Sequence, residues 1–494
     1  MENVLPSTIP ASRIRPLLTG MRGAVSAAHP LAAAAGTEIL ASGGSAADAA
    51  IAAQAALCVL APEACGLGGD MLALVRSSDG EVLAVNGTGA APLEPGPLSA
   101  DGGASVTVPG LVGGWEALSR KWGLLPLADC LAPALRLARR GFLMTDVLKR
   151  AVEAQRARLE AGGASRWEVL SAAPGDRLVQ GALANVLDLI GKEHRFGFYH
   201  GSVAEAVAKA AGDHNGRLST KDLAAHETPV LPSLPLSLHG ATVHVQPPMS
   251  QGVLLLMALR AVEGLGPLAH PAAEHAEIEA TLSAFAYRDR AAEGAKLIDL
   301  ELQVNMARAS NRIGPRPYLH TAGVATADAR GMVVSSLISV FDEFGSGVYV
   351  PEGGFVLNNR AGGFTDGFNA SGPGRRPVHT LAPALLDRPS GPLALATPGA
   401  DGQVQVLLQI VRGILADQTG LAELLDRPRW RSESGRLLIE RDHPQAAALQ
   451  RMGHELEPLQ EGDMRFGGVV AAGLELDVPI AGSDWRRETW AAVT

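Results

Sequence analysis

The amino-acid sequence predicts an α/β fold built as one intertwined unit, and three observations predict it. Helical periodicity recurs between residues 127 and 292. Short apolar strands separated by turns follow from Thr321, and neither a repeat at solenoid spacing nor a low-complexity tract divides the chain. With 494 residues, 47% hydrophobic and 19% charged, the chain can bury one large core or two ordinary ones.

Residues 29–60 read as two alanine-rich helices broken at Gly43-Gly44, with Ser42 or Ser45 as caps, and alanine and glycine let them pack closely. The turn Gly66-Leu67-Gly68-Gly69-Asp70 leads into an apolar strand at 71–75. A Ser-Ser-Asp-Gly turn follows and then a second strand at 81–85, the pattern of a hairpin. Helical patterns at 127–141, 146–161, 202–211, 251–264 and 271–292 make the middle of the chain mostly helical. From Thr321 the period changes to strands at 323–329, 332–340 and 354–357, so a sheet is expected to begin there.

Composition narrows the function classes. A net charge of -9 with dispersed arginines argues against a nucleic-acid partner, which needs a concentrated basic patch. Residues 1–20 hold no apolar run of signal-peptide type, and no uncharged apolar stretch is long enough to span a bilayer, so a soluble, cytoplasmic protein is expected. Cys58, Cys65 and Cys130 form no Cys-x-x-Cys pair and read as buried small hydrophobes. His320, His379 and the other histidines lack metal-ligand spacing and read as solvated or core residues; no metal or cofactor is expected. The turn at Gly66 to Asp70 lacks the Lys-Ser or Lys-Thr of a phosphate loop and reads as a simple change of direction.

Motifs along the chain resemble the gamma-glutamyltransferase family of N-terminal nucleophile hydrolases, almost end to end. They are Gly43-Gly44-Ser45-Ala46-Ala47-Asp48-Ala49-Ala50, the Gly66 turn, Val108-Pro109-Gly110, Phe198-Tyr199-His200-Gly201 and Ala286-Tyr287-Arg288-Asp289-Arg290. Phe344-Gly345-Ser346-Gly347, Leu357-Asn358-Asn359, Arg376-Pro377 and Thr397-Pro398-Gly399 continue the family's order and spacing. The resemblance implies an αββα four-layer sandwich, made as one chain and cut by itself between His320 and Thr321. A large portion, 1–320, and a small one, 321–494, would remain associated; whether a homo-oligomer forms stays open. It also implies Thr321 as the nucleophile, Ser339 in place of a supporting threonine, and an oxyanion hole at Gly399 and Ala400. Chemistry agrees: a threonine hydroxyl needs a base, and the α-amine released by the cut, titrating near 7.7–8.0, is one.

Departures from the family concentrate where a γ-glutamyl group is held. Thr88 stands where an arginine for the α-carboxylate is expected, with no other fork-shaped cation close by in sequence. Phe341 replaces an asparagine, Gly363 an aspartate for the ammonium, and His379-Thr380 a pair of serines. A small-molecule substrate with a less polar acyl group is expected, with Phe341 as an aromatic wall and Arg360 meeting a carboxylate in a new position. The rewritten pocket fits family members of bacterial secondary metabolism, including those that build 4-alkylproline units of antibiotics by hydrolysing a carbon-carbon bond beside a keto group. An amide acylase, or a weak γ-glutamyl hydrolase or transferase, is one alternative, and an uncut pseudoenzyme acting as a binding protein is another.

Overall fold

The computed structural model describes residues 15–310, 314–315 and 320–494; most of the amino-terminal segment read for a signal peptide lies outside the described residues. Two large antiparallel sheets use fourteen strands. In chain order they are β1 (Leu18–Thr19), β2 (Gly23–Ala27), β3 (Asp70–Arg76), β4 (Val82–Gly87), β5 (Val230–Pro232), β6 (Leu234–Leu238) and β7 (Ala241–Val245). After residue 320 come β8 (Ala322–Asp328), β9 (Val333–Ser339), β10 (Ala384–Arg388), β11 (Gly391–Ala396), β12 (Val470–Glu475), β13 (Val478–Ser483) and β14 (Trp490–Val493). One sheet runs β1-β13-β12-β11-β10-β7-β6 and the other β14-β2-β8-β9-β3-β4-β5.

The sheets lie face to face, β8 against β12 and β9 against β11. Their shared interior is lined by Leu72, Leu74, Leu337, Ala394, Val470 and their neighbours, and its small residues let the layers approach. Helices cover both outer faces. On the β8 side lie α1 (Pro30–Ala41), α2 (Ala46–Leu60) and α3 (Leu111–Trp122), with α4 (Leu127–Arg140) against α2; on the other lie α5 (Gly252–Glu263), α6 (Ala272–Phe285) and α7 (Gly402–Leu415). The molecule is therefore an αββα sandwich.

Local chemistry accounts for the entry into the core. Ser45 caps α2 by accepting from the Asp48 amide, and Asp48 returns a bond to the Ser45 amide, a reciprocal box. Ser42 ends α1 instead. Every residue of α2 is buried, including Asp48, whose Oδ2 also accepts from the amides of Leu124 and Leu125 in the link between α3 and α4. One carboxylate thus fixes the angle between two helix pairs.

Several expectations are corrected. Strands do not begin near Thr321: β2, β3 and β4 precede it and share its sheet, and residues 230–245 supply three more strands. The helix expected over 271–292 stops at Phe285 and gives way to a 3-10 segment, Arg288–Leu297, in which Gly294 has φ 58°. Helices Leu111–Trp122 and Gly181–Glu193 were not expected, since glycines weaken their apolar period. All three cysteines are buried and free. Among the described residues no helix is long and apolar enough to cross a membrane.

Replacing Asp48 by alanine leaves the Ser45, Leu124 and Leu125 amides without their acceptor. The expected loss is about 2–4 kcal/mol of unfolding free energy, measured by denaturant titration; a change under about 0.5 kcal/mol, the level of an ordinary surface substitution, would contradict this account of the helix packing.

Candidate active site

β8 and β9 form an antiparallel hairpin in which Ala322 faces Ile338, so Thr321 and Ser339 meet at its open end. Thr321 Oγ1 donates to the His320 carbonyl oxygen at 2.5 Å, Ser339 Oγ donates to the same oxygen at 3.2 Å, and the two hydroxyls are 3.5 Å apart. The Phe341 amide donates to Ser339 Oγ at 3.0 Å, which fixes that rotor. Thr321 and Ser339 are both buried. Two hydroxyls converging on one backbone carbonyl polarise it, and one belongs to the residue on the far side of that peptide bond. An attack by Thr321 Oγ1 on the His320 carbonyl carbon would close a five-membered ring. Burial, with help from Arg487 and Arg158, pushes the His320 imidazole down to about 4, so it is neutral at physiological pH.

The turn at Gly399 and Ala400 precedes α7. Gly399 has φ 123° and Ala400 φ 47°, left-handed values that glycine adopts freely and alanine at a cost of about 1–2 kcal/mol. Their carbonyls are held inward: the Gly402 amide donates to Gly399, and the Gln403 amide and Gln251 Nε2 donate to Ala400. Neither the Gly399 nor the Ala400 amide donates to another group among the described residues. Two amides left open at the positive end of a helix suit an anionic oxygen. Gln251 also donates to the Thr380 carbonyl, tying this turn to the connection carrying His379.

Beside the hydroxyl pair lies a buried charged cluster. Asp70, at the start of β3, accepts from Arg360 Nε at 2.9 Å, His379 Nε2 at 3.2 Å and the Gly89 amide at 3.3 Å. Burial opposes the charge on Asp70, but the His379 hydrogen bond and the Arg360 guanidinium overcome it and hold the carboxyl below the usual range. Burial, reinforced by Arg360, pushes His379 down to about 4 despite the bond to Asp70. The Leu381 amide donates to His379 Nδ1, so the proton sits on Nε2. The Arg360 guanidinium lies 4.3 Å from the centre of the Phe341 ring, and Phe341 holds φ 84°, an unusual value for an aromatic residue.

The other expected pocket residues are distributed around this cluster. Thr88 is buried and gives its hydroxyl to Asn86, while its carbonyl accepts from Arg376 Nε at 2.9 Å. A fork-shaped cation does stand at Thr88, although none lies near it in sequence, because the fold brings Arg376 from 288 residues away. Gly363 packs on Pro377 and the Val378 carbonyl and accepts from Asn369 through its own carbonyl. Thr380 is buried, with its hydroxyl unpaired. Asp70 is the residue the sequence reading missed: the Gly66 turn does more than redirect the backbone, since it delivers this carboxylate. A charge opening an otherwise apolar strand was the available signal. Among the described residues no cluster of His, Cys, Asp or Glu is arranged to hold a metal.

Comparison with known proteins gives a consistent result. A family model described as gamma-glutamyltranspeptidase matches residues 32–494. The chain is 31% identical to the oxamate amidohydrolase proenzyme of Klebsiella pneumoniae, covering 90% of this chain and 93% of the relative. It is 30% identical to the acylase ACY 1 proenzyme of Pseudomonas sp. strain SE83, covering 95% and 93%. The crystal structure of cephalosporin acylase from Bacillus halodurans superposes with a TM-score of 0.88 at 28% identity, covering 99% of each chain.

The His379 environment predicts acid sensitivity. A histidine whose folded-state pKa is near 4, against an ordinary 6.5, contributes stability that is complete above about 6.5 and lost as the pH falls toward 4. The slope is about 1.4 kcal/mol per pH unit per histidine. Between pH 6.5 and 4.5 the wild type is expected to lose about 2–3 kcal/mol more unfolding free energy than His379→Asn. Equal losses in the two proteins, measured by denaturant titration at each pH, would refute the assignment.

Proposed function

The chain belongs to the gamma-glutamyltranspeptidase family, and from that premise we propose that it is a self-processing N-terminal threonine hydrolase acting on amides whose acyl group is not γ-glutamyl. The observation that carries this reading is the convergence of the Thr321 and Ser339 hydroxyls on the His320 carbonyl. Thr321 Oγ1 adds to the His320 carbonyl carbon, the carbon-nitrogen bond breaks, and the proton passes to the Thr321 nitrogen. Water then hydrolyses the resulting ester. Residues 1–320 and 321–494 become two chains that stay together, because β8 and β9 are hydrogen-bonded between β2 and β3.

The new Thr321 α-amine is the base that the precursor lacks. It takes the Oγ1 proton as that oxygen attacks the substrate carbonyl, and the open amides of Gly399 and Ala400 hold the oxyanion. Collapse expels the amine with a proton, and water releases the acyl group by the same route in reverse. Ser339 keeps Oγ1 oriented.

The non-glutamyl part of the proposal rests on the pocket. Gly363 carries no side chain to pair with an ammonium, and Phe341 places a ring where a polar amide would reach it. Amide hydrolysis fits relatives named as an amidohydrolase and an acylase. Hydrolysis of a carbon-carbon bond beside a keto group, as in secondary metabolism, uses the same attack and oxyanion site, so a dienoic keto acid belongs in the substrate panel.

Denatured mass spectrometry tests the first step. Two fragments joining at His320/Thr321 are expected for the wild type, one intact chain for Thr321→Ala, and cleavage slowed on the order of 100–1,000-fold for Ser339→Ala, as for removal of one polarising donor. An uncut wild-type chain would refute self-processing and favour a binding protein. On the processed enzyme, γ-glutamyl-p-nitroanilide is expected to be a poor substrate, since a missing ion-pair partner in a desolvated site costs about 2–5 kcal/mol; efficient turnover would refute the non-glutamyl reading.

A further inference from the structure

Arg360 opens a short 3-10 turn, Arg360–Gly363, and its side chain is completely buried. Its Nε is engaged by Asp70, and Phe341 covers a face of the guanidinium. Nη1 and Nη2 are buried and have no acceptor. Idle donors on a desolvated cation are costly, and buried polar groups are nearly always paired. A guanidinium serving only as a structural partner for Asp70 would present its fork side-on and make two bonds. Here it makes one, through Nε, and neither Nη bonds to Asp70.

The neighbouring groups point the same way. Asp70 is engaged on both oxygens: Oδ2 accepts from Arg360 and His379, and Oδ1 from the Gly89 amide. Arg376, anchored on the carbonyls of Thr88 and Glu227, also feels the Asp70 charge. Arg376 has a second negative neighbour in Glu227, so it is the idle Nη1 and Nη2 of Arg360, rather than a surplus of charge, that call for an acceptor. Thr380, next to His379, adds a buried hydroxyl without a partner. Phe341, whose ring lies over the guanidinium, is itself only partly buried. Ser339, which holds the amide of Phe341, ties this pocket to the hydroxyl pair.

We propose that the Nη1 and Nη2 groups of Arg360 form the fork that receives a carboxylate on the substrate's acyl group, so that the preferred substrates are amides of carboxylated acyl chains lacking an α-ammonium. This inference rests on the proposed hydrolase and names its substrate class. Asp70 positions the fork by holding Nε, Phe341 lies over its face, and Gly363, without a side chain, offers an ammonium no counter-charge.

The test compares p-nitroanilides of dicarboxylic acids, from oxalyl to adipyl, each with the neutral acyl anilide of the same length and with γ-glutamyl-p-nitroanilide. For at least one length the wild type is expected to favour the carboxylated acyl group in kcat/KM by on the order of 30-fold or more. Arg360→Gln should bring that ratio to within a few-fold of one. Asp70→Asn combined with Arg360→Gln removes both buried charges together and gives the same reading should the single variant not fold. Calorimetric titration of wild type and variants with the free dicarboxylates reads the site without turnover. Arg360-dependent dicarboxylate binding by a chain that neither cleaves itself nor hydrolyses any anilide would sustain the carboxylate site and overturn the hydrolase reading. Neutral anilides hydrolysed as well as carboxylated ones at every length, or a selectivity ratio unmoved in both variants, would overturn the carboxylate site and leave the hydrolase reading standing. Absence of both turnover and dicarboxylate binding would overturn both.

Discussion

The hairpin of β8 and β9 is the constraint from which the rest of the molecule follows. It is inserted between β2 and β3, strands laid down far earlier in the chain, and its other face packs on β11 and β12 of the second sheet. Antiparallel pairing alternates side chains strictly, so a slip of one residue would exchange the face packed on the second sheet for the face packed on the helices, both of them buried. Register therefore fixes where Thr321 and Ser339 stand, at the open end of the hairpin and level with each other. The close approach of small residues between the sheets leaves no freedom to move them.

Rigidity at the hydroxyl pair is matched by strain and charge around it. Phe341 is held in a left-handed backbone conformation immediately after the strand that ends at Ser339, and Ala400 in another at the turn before α7. Such conformations persist where surrounding contacts over-determine them. Here those contacts are visible: Ser339 Oγ holds the Phe341 amide, the Arg360 guanidinium lies on its ring, and Gln251 and Gln403 hold the Ala400 carbonyl. The buried cluster of Asp70, Arg360 and His379 is similarly locked, since removal of any member leaves another charged or polar group unpaired in a medium of low dielectric.

The groups proposed for catalysis and those proposed for recognition lie on different parts of this framework. The hydroxyl pair and the open amides of Gly399 and Ala400 sit on β8, β9 and the start of α7, elements anchored by the sandwich itself. The residues expected to read the acyl group come from connections: Thr88 after β4, Arg360 and Gly363 in a 3-10 turn, and His379 and Thr380 in the approach to β10. Connections tolerate substitution where strands do not, so under the proposed function a pocket for one acyl group can be rewritten while the groups assigned to attack and to the oxyanion keep their places.

The sequence alone determined the family, the sandwich and most single elements. Hairpins and helices such as 70–87, 127–140 and 146–159 were legible because their periodicity and turn residues are local. It also marked Thr321, Ser339, Gly399 and Ala400 through ordered motifs, though not their mutual geometry. What it missed was either weakly periodic, like the glycine-interrupted helix Leu111–Trp122, or non-local. Arg376 reaches Thr88, Asp70 meets Arg360 and His379, and the 230–245 strands complete both sheets, all across long separations in the chain. Only the tertiary structure decided these, because a charge takes its meaning from what surrounds it once water is excluded, and that neighbourhood is assembled by folding rather than written in adjacent residues.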